Sequence, residues 1–432
     1  MDTKNFSFYK LGNRIPFLKN YPVLQSVIAW FLICSIVAIC VGSATALFLV
    51  SLEWATNYRE ANYWIIALLP IAGFIVGAFF HYWGKSIEAG NNLIIDNIHN
   101  PKKIISFHMA PFILIGTVIT HLFGGSAGRE GTAIQMGGSI ADQFTRIFRL
   151  KPQDRQILLI AGMSAGFGSV FGTPLAGAVF GLEVYNIGNI KYNAIFPAFV
   201  AAILADFVTH SWGVGHTIFT IPTIPHINMI NIIYVIIAGI AFGITARLFA
   251  KTTSTISSFS KKNIKYAPLR PFIGGLIIAA IVFATGSTRF IGLGVPVISE
   301  SFIIQQAPYD FILKLLFTAL TLGVGFKGGE VTPLFFIGAT LGSALSLVLP
   351  LPVGLMAGMG FVAVFAGAAN TPLACSIMAI ELFGAECGVY VAIACIVAYL
   401  ISGHSGIYSS QIIGSPKNIK KAKEVGKSLK QL

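Results

Sequence analysis

Apolar runs long enough to cross roughly 30 Å of hydrocarbon begin at residues 27–50 and recur at 63–80, 104–123, 157–182, 194–208, 232–248 and 272–285. More follow between 311 and 401. The pattern predicts about ten to fourteen helices. Several are too short, or too interrupted by Gly and Pro, to cross alone, which points to discontinuous helices buried within protein.

Composition agrees with lipid as the solvent. Hydrophobic residues make up 55% of the 432, charged residues 10%, and mean hydropathy is +0.78, whereas a soluble domain carries about 25% charged residues. The net charge of +13 is concentrated in short loops and at the ends. Lys4, Lys10, Arg14 and Lys19 precede the first apolar run with no apolar core ahead of a cleavage site, so residues 1–24 read as a retained arm and not a signal peptide. Six lysines crowd the tail from residue 415 to 432. The positive-inside rule then places both termini in the cytoplasm of a bacterial inner membrane, with an even number of effective crossings. Basic residues beside apolar helices argue against nucleic-acid binding. The five cysteines lie in or beside apolar segments without metal-ligand spacing, and no metal or cofactor is expected.

An internal repeat organises the chain. Ala161-Gly162-Met163, Thr173-Pro174-Leu175-Ala176 and Glu183 reappear in order as Ala357-Gly358-Met359, Thr371-Pro372-Leu373-Ala374 and Glu381. Upstream of each block stands a glycine-rich turn carrying a glutamate, Gly128-Arg129-Glu130-Gly131-Thr132 and Gly328-Gly329-Glu330-Val331-Thr332-Pro333. Two repeats with Gly/Pro breaks at matching positions point to a transporter whose site lies between them near the midplane. The expected units are residues 25–225 and 226–414.

The first turn carries the chemistry. It follows an apolar run and opens an apolar-periodic segment, which makes it a helix N-terminus at membrane depth. Free backbone N–H groups and the positive end of a helix dipole bind a small anion without a cationic side chain. An ionised Glu130 competes for those donors; a protonated Glu130 leaves them to the anion, so proton and anion occupancy are coupled. An intramembrane carboxylate is costly enough to be functional by default. The plainer alternative is a loop glutamate paired with Arg129 at an interface. Glu183 and Glu381 read as structural, and the Thr-Pro-Leu-Ala pair as broken-helix packing.

These residues resemble the CLC family of chloride channels and proton-coupled halide antiporters. The family's Gly-Arg-Glu-Gly motif stands at Gly128-Arg129-Glu130-Gly131, with Thr132 where most members have proline. Its Gly-x-Phe-x-Pro motif stands at Gly329 to Pro333, with Val331 in place of phenylalanine, and Tyr408 matches its late tyrosine. Departures narrow the resemblance. Asn91 and Asn92 stand in the region of the serine motif, with Asn91 at the anion-contacting serine, and Val184 replaces the internal proton-accepting glutamate. Such changes are similar to the fluoride-exporting branch, CLC-F.

The resemblance implies an all-α polytopic membrane fold of two inverted structural repeats with broken and re-entrant helices, a homodimer in a lipid bilayer, and exchange of fluoride for protons. By it, Glu130 gates and couples; Gly128, Arg129, Gly131, Thr132, Asn91, Asn92, Val331, Thr332 and Tyr408 line the anion path. Glu330 either relays protons or caps its helix and pairs with a lysine such as Lys327. Chloride-selective exchange or conduction remains the nearest alternative. An intramembrane hydrolase is the rival of another class, because Gly124-Gly125-Ser126-Ala127-Gly128 fits a nucleophile-elbow pattern with His121 nearby.

Overall fold

The computed structural model describes residues 22–432; of the basic arm predicted over residues 1–24, residues 1–21 lie outside them and Pro22 to Leu24 instead open the first helix. Among the described residues there are sixteen α-helices, more than the apolar runs predict, because short half-helices such as Asn91–His99 leave little hydropathy signal. Five helical segments are long and apolar enough to span a bilayer: Pro22–Ala61, Tyr63–Tyr82, Tyr192–Ser211, Met229–Asn263 and Ala385–Ser402. We number the helices used below α1 (Pro22–Ala61), α2 (Leu69–Tyr82), α3 (Asn91–His99), α4 (Met109–Leu122), α5 (Glu130–Ile147), α6 (Pro152–Phe171), α7 (Pro174–Glu183), α8 (Ile195–Ser211), α9 (Met229–Asn263), α10 (Leu269–Thr285), α11 (Val295–Ser301), α12 (Asp310–Gly323), α13 (Val331–Leu345), α14 (Val353–Ala369), α15 (Pro372–Phe383) and α16 (Gly388–Ser402). The departure from an all-α fold is a pair of two-residue parallel strands, β1 (Asn186–Ile187) and β2 (Ile412–Ile413).

The same breaks recur in each half. Helix α6 ends on Gly172 and α14 on Asn370, both in the left-handed region at φ 74° and 60°. Pro174 and Pro372 then restart the chain as the first residues of α7 and α15, where proline's missing N–H is harmless. The freed donors at these new N-termini are capped across the halves. Glu381 accepts from Leu175 N–H at 2.9 Å and Ala176 N–H at 2.7 Å. Glu183 accepts from Leu373 N–H at 3.1 Å and Ala374 N–H at 2.9 Å. The structural reading of both glutamates therefore has a specific form: each half supplies the cap of the other.

Glycine lets the core helices touch backbone to backbone. A Cβ at Gly137 of α5 would stand 2.2 Å from Gly162 O of α6, and one at Gly338 of α13 would stand 2.0 Å from Gly360 O of α14. Lipid offers apolar helices no hydrophobic drive to associate, so close packing has to supply it.

The tail is docked against the fold and is not a free basic arm. Ile413 N–H donates to Lys427 O and Leu429 N–H to Gln411 O, both at 3.0 Å, while Lys430 Nζ reaches Asp96 at 3.0 Å. Lys417 Nζ lies 3.8 Å over the Tyr399 ring and donates to Tyr399 O at 2.7 Å; burial pushes its ammonium well below the ordinary lysine value.

Gly338→Ala should lower the thermal unfolding midpoint of the solubilised protein, by overpacking of about 1–3 kcal/mol, because backbone and not a flexible side chain occupies the space. Gly215→Ala, where nothing lies within 4 Å, serves as control. Equal midpoints for the two variants would remove the close-contact argument.

Candidate anion site

The two glycine-rich turns meet directly. Gly128 N–H donates to Gly329 O at 2.6 Å and Gly329 N–H to Gly128 O at 2.9 Å, an antiparallel bridge. A Cβ on Gly131 would stand 2.9 Å from Gly329 Cα, so only small residues allow this approach. Helices α5 and α13 therefore begin at one point, and their positive ends share it.

Glu130 occupies that point. It is the first residue of α5 and fully buried. Its carboxylate accepts from Thr332 N–H, in the first turn of α13, at 3.0 Å, and the Thr332 hydroxyl lies 2.7 Å from both carboxylate oxygens. Arg129 Nε stands 3.6 Å away. The Glu130 carboxyl thus sits on backbone and hydroxyl donors of the opposite half, the kind of donor set that binds small anions at helix N-termini.

On one side of Glu130 opens a cavity of about 690 Å³, lined by Asn91, Asn92, Gln135, Glu330 and Tyr408 and by the basic residues Lys85, Lys261, Arg270 and Lys327. Excess positive charge in such a funnel concentrates anions. Asn91 Oδ1, Glu330 Oε2 and the Tyr408 hydroxyl are buried without a hydrogen-bond partner. Each costs about 1–3 kcal/mol if left unsatisfied, so this end of the cavity favours a ligand or water. The Asn91 and Glu330 side chains converge on Gly131, next to the bridge: a Cβ there would lie 3.2 Å from Asn91 Nδ2 and 3.6 Å from Glu330 Oε2.

On the other side Arg129, Thr217, Thr332 and the rings of Phe171, Phe219, Phe335 and Phe361 close around about 10 Å³, room for about one water. Phe335 and Phe361 stack at 4.0 Å. Thr332, which holds Glu130, thus lines the nearly closed side, whereas Glu330 at the matching turn lines the open one.

Several expected roles change in detail. The Thr132 hydroxyl does not face the site; it pairs with Thr117 at 2.7 Å. Gly128 N–H is used by the bridge. Asn92 Oδ1 accepts from Ser410 N–H at 2.9 Å, which positions the loop carrying Tyr408. Val331 is buried as the first residue of α13 and offers backbone only. Glu330 is the N-cap residue of α13 without a side-chain cap bond, and Lys327 Nζ sits instead 4.1 Å over the Phe80 ring. Ser126 has Thr318 at 2.9 Å as its hydroxyl partner, and both His121 ring nitrogens face the carbonyls of Thr117 and Ala127, so no serine–histidine pair forms. The phenylalanine constriction and Gln135 escaped the sequence reading, because ordinary core residues carry no motif.

A family model described as voltage gated chloride channel matches residues 72–403. The chain belongs to this CLC family. A chloride/fluoride channel protein of Pseudomonas syringae pv. tomato is 56% identical over 402 residues, 92% of this chain and 89% of that protein. A CLC-type fluoride/proton antiporter superposes with a TM-score of 0.86 at 34% identity, over 89% of this chain and 98% of that one. A slow cyanobacterial Cl⁻/H⁺ antiporter shares the fold at a TM-score of 0.74 and 19% identity, over 86% of this chain and 94% of that one. The inverted-repeat CLC fold thus frames the shared N-terminal point of α5 and α13.

Tyr408→Phe removes a hydroxyl that bonds nothing in the protein. Thermal stability should stay within about 0.5 kcal/mol, while anion affinity falls about ten- to a hundredfold, as for loss of a charge-assisted hydrogen bond. Titration calorimetry and a melting curve on one preparation read both. Unchanged anion affinity would remove Tyr408 from the site.

Proposed function

We propose that the chain is a secondary active transporter, and not an enzyme, that exports fluoride from the cytoplasm in exchange for protons. The observation that carries the reading is the Glu130 carboxylate on the N-terminal donors of α13, between a wide cationic cavity and a narrow constriction. When Glu130 is protonated it loses its claim on Thr332 and swings away, and a halide enters along Asn91, Tyr408 and Thr332. When the halide leaves, the ionised carboxylate returns. One site that holds either a halide or a carboxylate ties the two fluxes together.

Fluoride is small and strongly hydrated, so compact donors replace its water best: backbone N–H, the hydroxyls of Thr332 and Tyr408, and the Asn91 amide. The names of the two relatives above 30% identity support fluoride as substrate. Fluoride enters acidified cells as a neutral weak acid and is trapped as the anion, so export against its gradient needs a coupled source, which inward protons supply.

With Val184 where an internal glutamate would stand, Glu330 is the proton relay we assign. Its free, buried Oε2 at the deep end of the cavity supports that role over helix capping or pairing with Lys327. The cationic cavity beside the docked basic tail is then the cytoplasmic side, with both termini there and the protein in a bacterial inner membrane. Residues 25–225 and 226–414 form the two repeats, and by family resemblance the working unit is a homodimer with one pathway per subunit.

Liposomes loaded with fluoride or chloride, read with an ion electrode and a pH probe, test the reading. Fluoride efflux should drive proton uptake and exceed chloride efflux, and Glu130→Gln should abolish proton movement because an amide exchanges no proton. Glu330→Gln should slow proton flux more than fluoride binding. Fluoride efflux without protons in the unaltered protein defeats antiport; equal chloride efflux defeats selectivity.

A further inference from the structure

On the constricted side, away from the docked tail, α8 ends in a cluster that the anion path does not use. Asp206 and His210 lie one turn apart on α8, and His216 comes back from the loop that follows. One ligand atom from each falls within 4.8 Å of the others. His210 Nδ1 stands 3.4 Å from Asp206 Oδ1 and 3.0 Å from the Asp206 carbonyl, a hydrogen bond it would give up to bind a metal, and His216 Nε2 stands 3.8 Å from Asp206 Oδ1. Zinc binds nitrogen and oxygen at about 2.0–2.1 Å, and a tetrahedron of that size has edges of roughly 3.3 Å, so the two pairs that share Asp206 stand close to metal-binding separation.

A second observation points the same way. Asp206 Oδ1 and both ring nitrogens of His216 are buried without a hydrogen-bond partner, and the His216 side chain is only 11% exposed. Asp206 Oδ1 and the His216 Nε2 that faces it at 3.8 Å are two buried atoms without a partner, and a cation between them accepts both lone pairs. His210 is half exposed, and Trp212 beside it is exposed at the helix end, which leaves water access for a metal. Gly172 forms the floor: a Cβ there would lie 2.5 Å from the His216 ring, so the ring is held at a fixed place.

The geometry points to a divalent transition-metal site of the zinc class built from Asp206, His210 and His216, with water as the fourth ligand. Two imidazoles and one carboxylate suit zinc better than calcium or magnesium, which take oxygen donors. No cysteine or histidine motif marked this site in the sequence; the Asp-x-x-x-His spacing at 206 and 210 was its only local signal. Thr217 and Phe219, directly after His216, line the constriction beside Arg129 and Thr332. A bound metal would therefore pin this loop against the narrow side of the path and slow transport. That clause rests on the transport reading; metal binding itself does not.

Cobalt(II) titrated into the purified, full-length protein should give the visible absorption of a tetrahedral site at one metal per chain, displaced by zinc. His216→Ala and, separately, the exposed His210→Ala should weaken cobalt binding at least about tenfold. Zinc should then slow fluoride efflux from liposomes in the unaltered protein and have little effect in His210→Ala. Absence of the tetrahedral spectrum, or the same spectrum in both variants, overturns the site. A metal spectrum lost in the variants, with efflux insensitive to zinc, overturns the link to transport alone.

Discussion

The structure turns on one hydrogen-bonded contact: a carboxylate from the first residue of one helix seated on the first turn of another. Glu130 would be costly to bury alone. It is tolerated because Thr332 N–H and hydroxyl, with the positive end of α13, supply donors that the helix itself leaves unused. Donors of that kind also bind small anions, which is the basis of the proposed exchange between the acid and a halide.

That contact requires two helix ends within van der Waals distance of each other, and the surrounding frame delivers them. The Gly128 and Gly329 bridge draws the turns together. Glycines at 137, 162, 338 and 360 let α5 and α13 pack on α6 and α14 at backbone distance. The exchange of caps between Glu183 and Glu381 fastens the opposite ends of the two halves. Repeat symmetry explains why these devices come in pairs, and the site sits where the pairs differ: Glu130 in one turn has a full set of donors, whereas Glu330 in the other keeps a free oxygen.

Much of this was legible along the chain because it depends on local chemistry. Thr173-Pro174 and Thr371-Pro372 mark helix breaks since proline restarts a helix wherever it stands, and the glycine-rich turns advertise helix ends open to an anion. Contacts between distant segments were not legible. Nothing near Thr132 signals that Thr117 takes its hydroxyl, and nothing near Glu381 reveals that its partners are residues 175 and 176. The lysine-rich tail shows only its charge in the sequence, yet its backbone is paired with the Gln411–Ile413 segment. Asp206, His210 and His216 were hidden for a similar reason, since a loop of unremarkable composition closes the set.

Competition between a carboxylate and a halide for one set of donors is the central claim, and proton linkage in equilibrium binding tests it most directly. Fluoride calorimetry at several pH values, in buffers of different ionisation enthalpy, counts protons taken up per fluoride bound. The account predicts that affinity strengthens as pH falls and that proton uptake accompanies binding, with both effects absent in Glu130→Gln. Fluoride binding that ignores pH in the unaltered protein would contradict it.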